Sequence, residues 1–142
     1  KQELKIKIPA GISAGETIKI SGQGNSGQNG NSAGDLYISF NIKGHSEFIR
    51  QGYDILSNTK INIAQAALGD KINIKTLDGE VSLKIPAGTQ SGETLSLKNR
   101  GVPVLNKSGS RGDHLVKVTV EIPQKLSRSQ KKLLEELKQD LD

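Results

Sequence analysis

The 142-residue sequence contains no cysteine, no methionine and no tryptophan, and only two phenylalanines and two tyrosines. Without cysteine there is no disulfide, no thiol nucleophile and no cysteine-ligated zinc within these residues, and no indication of redox compartment. Without an initiator methionine the chain reads as an excerpt of a longer one or a processed product. So few aromatic rings give little from which to build a base-stacking platform for single-stranded nucleic acid. No apolar run approaches the ~20 residues that a membrane-spanning helix needs, and the opening KQELKIKIPA lacks a signal-peptide pattern. The expectation is a chain with no membrane partner.

What the sequence does have is positive charge. Twenty Lys and Arg against fifteen Asp and Glu give a formal net charge of +5. Such a balance suits a polyanion in principle. The lysines, however, alternate with apolar residues, as in Leu4-Lys5-Ile6-Lys7-Ile8, and no run of five basic residues occurs. This is the pattern of lysine-decorated outer faces of sheets. Nucleic acid is therefore disfavoured as a partner, and a basic β-sandwich module that binds polyanions is kept as the alternative reading.

A repeat organises the chain. Residues 6–17, IKIPAGISAGET, return as LKIPAGTQSGET at 83–94, an offset of 77 residues. Ile18 and Ile20 answer Leu95 and Leu97, and Gly34-Asp35 answers Gly112-Asp113. Two related units in tandem account for this. Period-two alternation runs through both: Leu4, Ile6 and Ile8; Ile18 and Ile20; Leu36, Ile38, Phe40 and Ile42; Ile61 and Ile63; Ile72 and Ile74; Val81, Leu83 and Ile85; Leu95 and Leu97; Val116, Val118 and Val120. Each set predicts one face of a strand. Asp78-Gly79 between two such runs predicts a tight hairpin, because both residues tolerate positive φ. Pro9 and Pro86 end strands and open turns.

Two stretches break the alternation. AQAAL at 64–68 is too short and too alanine-rich for a strand and predicts one helical turn closed by Gly69. Ser127 followed by Gln130 forms a capping-box pattern, after which Leu133, Leu134, Leu137 and Leu141 recur at helical spacing. An amphipathic helix of about four turns is marginal alone in water, so its leucines need a partner. That partner is either the second unit or another subunit, and spacing leaves both open.

Several motifs invite a chemical reading and fail on context. GQGNSG at 22–27 spells G-x-G-x-x-G, but it leads into QNGNS and then another strand, not into the helix a pyrophosphate site requires. It is read as a surface loop. Arg111-Gly112-Asp113 spells an adhesion tripeptide, yet Gly34-Asp35 fills the equivalent place without the arginine, so a turn before a strand explains both. His45 and His114 lack further metal ligands at a recognisable spacing, and Asp113-His114 has no nucleophile motif beside it. Asp54, Asp70 and Asp78 fall at turns and strand ends. No enzyme is expected.

In order along the chain, KIPAG…GE at 7–16, GDLYI at 34–38, H-x-x-F-x-R-x-G-x-D from His45 to Asp54, AALGD at 66–70, TLDG-x-V at 76–81, KIPAGTQSGE at 84–93, KNRGVP at 98–103, Arg111-Gly112-Asp113 and LSRSQKKLL resemble the C-terminal part of the DnaJ family of J-domain co-chaperones. The resemblance covers essentially the whole chain. It implies a mainly β chain of two tandem β-sandwich subdomains, the first incomplete, followed by a C-terminal amphipathic helix: residues 1–47, 48–125 and 126–142. It implies a non-enzymatic, cytoplasmic module that binds extended apolar segments of unfolded client polypeptides and delivers them to a DnaK-type ATPase chaperone. The helix would join two copies as a homodimer through Leu133, Leu134, Leu137 and Leu141. The His-Pro-Asp tripeptide with which the family's J-domain acts is absent. Zinc is expected only in a cysteine-rich module upstream of residue 1, and no cofactor in this chain. The second unit has strands from about Asp54 to Thr76 ahead of its KIPAG segment, whereas the first has only Lys1 to Glu3. In the family those strands supply one wall of the client groove. The other wall maps onto Leu4, Ile6, Ile38 and Phe40, residues whose alternation also suits an ordinary core.

Overall fold

A computed structural model describes residues 5–20 and 34–142. The chain is mainly β, with a C-terminal helix, in the order β1 (Thr17–Ile20), β2 (Leu36–Ser39), β3 (Ile49–Gln51), β4 (Asp54–Asn62), α1 (Ile63–Leu68), β5 (Asp70–Thr76), β6 (Gly79–Ile85), β7 (Thr94–Leu97), β8 (His114–Glu121) and α2 (Arg128–Leu141). The described residues form a β1–β2 pair, a β5–β6 pair and a four-stranded sheet in the order β3-β4-β8-β7. All pairings are antiparallel except β4 with β8, which run parallel from Ile55 opposite His114 to Asn62 opposite Glu121.

The four-stranded sheet and the β5–β6 hairpin face each other across one core. Ile61 from β4, Ala66 from α1, Ile74, Leu83 and Ile85 from the hairpin and Val116 and Val118 from β8 make up its buried centre. Ile72, Leu95, Leu97 and Val120 close its margins. Period-two patterning thus does in β5, β6 and β8 what it predicts: one face goes inward and the lysine-bearing face stays in water.

Local chemistry sets the element ends. The alternation predicts Ile61 and Ile63 on one strand, but β4 stops at Asn62, whose side chain accepts from the Gln65 backbone N–H while the Gln65 side chain accepts from the Asn62 N–H. That capping box starts α1 with Ile63. Gly69, at φ 83°, ends it as expected, and a Cβ there would press on the Ile85 carbonyl of β6. The predicted hairpin forms with Thr76 opposite Gly79, so Leu77 and Asp78 occupy the loop. Thr76 Oγ1 donates to the Gly79 carbonyl and accepts from the Asp78 N–H. Ser127 and Gln130 make the predicted capping box of α2.

The first unit departs from its sequence pattern. Ile6 and Ile8 were expected on a strand, yet residues 5–9 carry no regular structure and Ile8 is exposed. Their counterparts in β6 are laddered to β5. Among the described residues 5–9 have no such neighbour, and alternation without a ladder partner leaves backbone donors to water. Likewise β2 ends at Ser39, just short of Phe40, whose carbonyl accepts from the Gly15 N–H at 3.1 Å.

Candidate functional site

Of the four residues expected to line a peptide groove, Leu4 lies outside the described residues, as does the 22–27 loop. Ile6, Ile38 and Phe40 are half-buried. In the β1–β2 pair Ile18 stands opposite Ile38 and Ile20 opposite Leu36, so these four side chains share one face. All four are half-buried rather than enclosed, and neither strand has a second neighbour among the described residues. The opposite face carries Lys19 and the exposed Tyr37, with Lys19 Nζ 3.1 Å from Asp35. The first unit therefore presents a partly covered apolar row beside open backbone edges.

That unit is tied to the second by Arg50 of β3. Its Nη1 donates to the Ile12 carbonyl at 2.6 Å, and its Nη2 to the Gly11 carbonyl at 2.8 Å and Ser13 Oγ at 3.1 Å. Its Nε donates to the Gly52 carbonyl at 2.8 Å, which orients the guanidinium. Gly11 sits so close to the 103–105 loop that a Cβ would run into the Pro103 carbonyl oxygen. In the sequence Arg50 stands only as one position of the His45-to-Asp54 motif, two residues before Gly52.

The second apolar surface is α2. Leu133, Leu137 and Leu141 are 62%, 48% and 77% exposed, only Leu134 is half-buried, and no residue of the helix is buried. The helix thus does not spend its apolar stripe on its own chain. Beside it lies a groove of about 600 Å³ whose apolar lining comes from Ile63, Ala64, Pro123, Leu126, Leu133 and Leu134.

The Arg111-Gly112-Asp113 stretch is tied into the fold. Arg111 donates twice to the Gly101 carbonyl and pairs with Asp78 in the β5–β6 turn. Asp113 accepts from the Asn99 N–H at 3.1 Å and meets Lys98 Nζ at 3.6 Å. This places the tripeptide in a brace between loop and hairpin.

His114 is the residue that spacing undersold. It follows the inward phase of Val116, Val118 and Val120 and is completely buried. Its Nε2 is 2.7 Å from Ser57 Oγ, and burial pushes its pKa below the ordinary histidine value. The pair looks like a nucleophile and base, but Asp113 is engaged with Asn99 and Lys98, and the His114 Nδ1 has no partner. A base that no third group orients lacks the arrangement that activates a serine. Elsewhere, Asp70 has its pKa lowered by the Gln65 side-chain amide and the Lys71 N–H, which describes a helix-to-strand brace.

No three His, Cys, Asp or Glu side chains gather as metal ligands among the described residues, and the whole sequence has no cysteine. No helix among the described residues is long and apolar enough to cross a membrane.

Comparison with known proteins returns one family model, the DnaJ C terminal domain, matched by residues 1–123. Among curated relatives, the Chaperone protein DnaJ of Cyanothece sp. is 47% identical over 136 residues, covering 96% of this chain and 36% of the relative. The protein of the same name from Halalkalibacterium halodurans is 48% identical over 139 residues, covering 98% and 37%. That of Clostridioides difficile is 50% identical over 133 residues, covering 94% and 34%. The chain spans about a third of the length of the curated relatives it matches.

Proposed function

Because the chain belongs to the DnaJ C-terminal domain family, we propose that it is the client-binding and dimerising part of a cytoplasmic co-chaperone, non-enzymatic in itself. The observation that carries this reading is the half-covered row of Ile18, Ile20, Leu36 and Ile38 on two strands that have no further neighbour among the described residues. An extended peptide can add itself to such an edge by main-chain pairing while its alternate side chains rest on the apolar row. Main-chain pairing is indifferent to sequence, which suits unfolded polypeptides of many kinds. The same reading assigns Ile6 and Phe40 to the groove, and Leu4, which lies outside the described residues, with them. Clients would then pass to a DnaK-type ATPase chaperone. Zinc, where such a protein carries it, would belong to residues outside this chain. The division into 1–47, 48–125 and 126–142 follows the same reading.

Self-association rests on α2. A fourteen-residue helix with Leu133, Leu137 and Leu141 in water is poorly supported alone. A second copy of α2 would cover that stripe, with Leu134 at its inner margin. Two linked grooves raise apparent affinity for one long client through effective concentration, even when each groove binds weakly.

The test is fluorescence anisotropy of a labelled, unstructured apolar peptide titrated with the chain at low and high salt. Saturable binding that persists at high salt is expected, since burying apolar surface releases no counterions. Replacing Ile38 with Asp should weaken it tenfold or more, the loss of one buried apolar side chain being about 1.5–3 kcal/mol. Binding that collapses with salt would instead favour the polyanion reading. In sedimentation, Leu137→Asp should give a folded monomer. A dimer that survives this change would remove α2 from the interface.

A further inference from the structure

Segment 45–50 is held at both ends by unusual contacts. At one end the Phe48 ring stands edge-on to the buried His114, with centroids 5.5 Å apart and planes at 90°. His45 stacks on Phe48 at 4.7 Å, its Nδ1 accepting from the Glu47 N–H at 3.0 Å. At the other end Arg50 grips the turn at Gly11–Ser13. One short stretch thus leans on an imidazole in the core and holds the first unit with a guanidinium.

The imidazole is comfortable only when neutral. With the proton on Nε2 it donates to Ser57 Oγ, leaving a bare lone pair on Nδ1. A second proton would add a buried charge and a buried N–H with no acceptor, both costly. Among the described residues no carboxylate is bonded to the ring. Ile55 and Ser57 of β4 and Leu97 of β7 are its neighbours across the sheet, and Phe48 packs on its edge. The acidic groups on these elements and beside His114 are engaged elsewhere: Asp54 accepts from the Asp113 N–H, Asp113 pairs with Lys98, and Glu47 with Lys75 of β5. Asp78, in the β5–β6 turn, is taken by Arg100 and Arg111. His45 lies beyond Phe48 and brings at most a second positive charge.

We propose that His114 is an acid-sensitive latch: neutral, it seats Phe48 and keeps the Arg50 grip on residues 11–13 closed, and protonated, it unseats the segment and frees the two units to move apart. This is independent of what the first unit binds. The closed form depresses the imidazole pKa by burial, whereas the released ring has its ordinary value of about 6.5. The latch is therefore fully engaged above that value. It weakens as pH falls below it, and weakens no further once the closed-state value is passed. Each pH unit in that window raises the open population by up to about tenfold.

Native-state amide exchange of the 142-residue chain, corrected for the intrinsic effect of pH, tests this between about pH 7.5 and pH 5. Amides of 45–51 and of 11–16 are expected to exchange faster as pH falls, while β5 and β6 stay unchanged. His114→Gln, which can still donate to Ser57 but does not titrate, should abolish the acid response, and His45→Gln should preserve it. An undiminished response in His114→Gln, its loss in His45→Gln, an equal acceleration in every strand, or none in the wild type would each overturn the proposal. Should His114→Gln not fold, the ring proton of His114 is followed by NMR in the wild type. A midpoint below the ordinary histidine value that coincides with the opening supports the latch, and a midpoint at or above that value overturns it.

Discussion

The two copies of the K-I-P-A-G-x-x-x-G-E-T frame take the same turn and land in opposite environments. Gly11 and Gly88 have φ of 87° and 84°, and Gly15 and Gly92 have 85° and 94°. Yet Ile8 is 56% exposed where its counterpart Ile85 is 1% exposed. Ile85 is laddered to β5 and shares the core with Val116 and Val118. What holds the turn also differs. In the second copy the N–H groups of Gly88 and Thr89 donate to the Ala66 carbonyl near the end of α1. In the first, the carbonyls of Gly11 and Ile12 receive Arg50. A repeated frame transmits backbone conformation, which is local. Burial depends on neighbours, which are not repeated.

The comparison can be broken most forcefully at the paired isoleucines. Ile85→Ala should cost about 2–5 kcal/mol in urea unfolding, as a large-to-small change in a closed core. Ile8→Ala should stay within about 0.5 kcal/mol, as a surface change. Equal costs would mean that residues 5–9 are covered as their counterparts are. A middle-sized effect is expected at Arg50. Arg50→Leu removes charge-assisted bonds to four acceptors, three of them in residues 11–13, each type worth about 1.5–3 kcal/mol at most, and should expose 11–13 to proteolysis while β5–β6 resists. If cleavage there does not rise, the guanidinium is not what holds the first turn. A smaller effect than at Arg50 is expected for Gly88→Ala. A Cβ at Gly88 meets nothing within 4 Å, so only the positive φ opposes it, about 1–2 kcal/mol. Gly11→Ala must add the collision with Pro103, and urea titrations of the two variants should separate them.

What could be read from the sequence was what neighbouring residues decide among themselves. Ser127 and Gln130 start α2, Gly69 ends α1, and the Asp78-Gly79 region reverses the chain. Alternation marked the inward residues of β6 and β8 because each strand has a layer above it. The same alternation misled at Ile6 and Ile8, where no partner strand stands beside them among the described residues. The Asn62–Gln65 box is present in the sequence as N-x-x-Q, but the apolar phase of Ile61 and Ile63 across it points to a continuing strand. The candidate site was legible as residue types and not as relationships. Ile38 opposite Ile18 depends on how two segments register across an intervening loop. Arg50 against Gly11 links residues 39 apart, and His114 against Ser57 links residues 57 apart. No window of local pattern spans such distances.

The parallel ladder of β4 with β8 has a consequence for how the chain is made. Its two strands are separated by α1, the β5–β6 hairpin and β7. The hairpin can close as soon as it leaves the ribosome, since its contacts are between near neighbours. The ladder cannot begin until His114 has been synthesised, and it cannot finish before Glu121. Until then Ile61, Ile74, Leu83 and Ile85 wait without Val116 and Val118, and the nascent polypeptide exposes the kind of apolar surface that invites aggregation. On the reading proposed above, a module for holding unfolded chains is, for that interval of its own synthesis, an unfolded chain that needs holding.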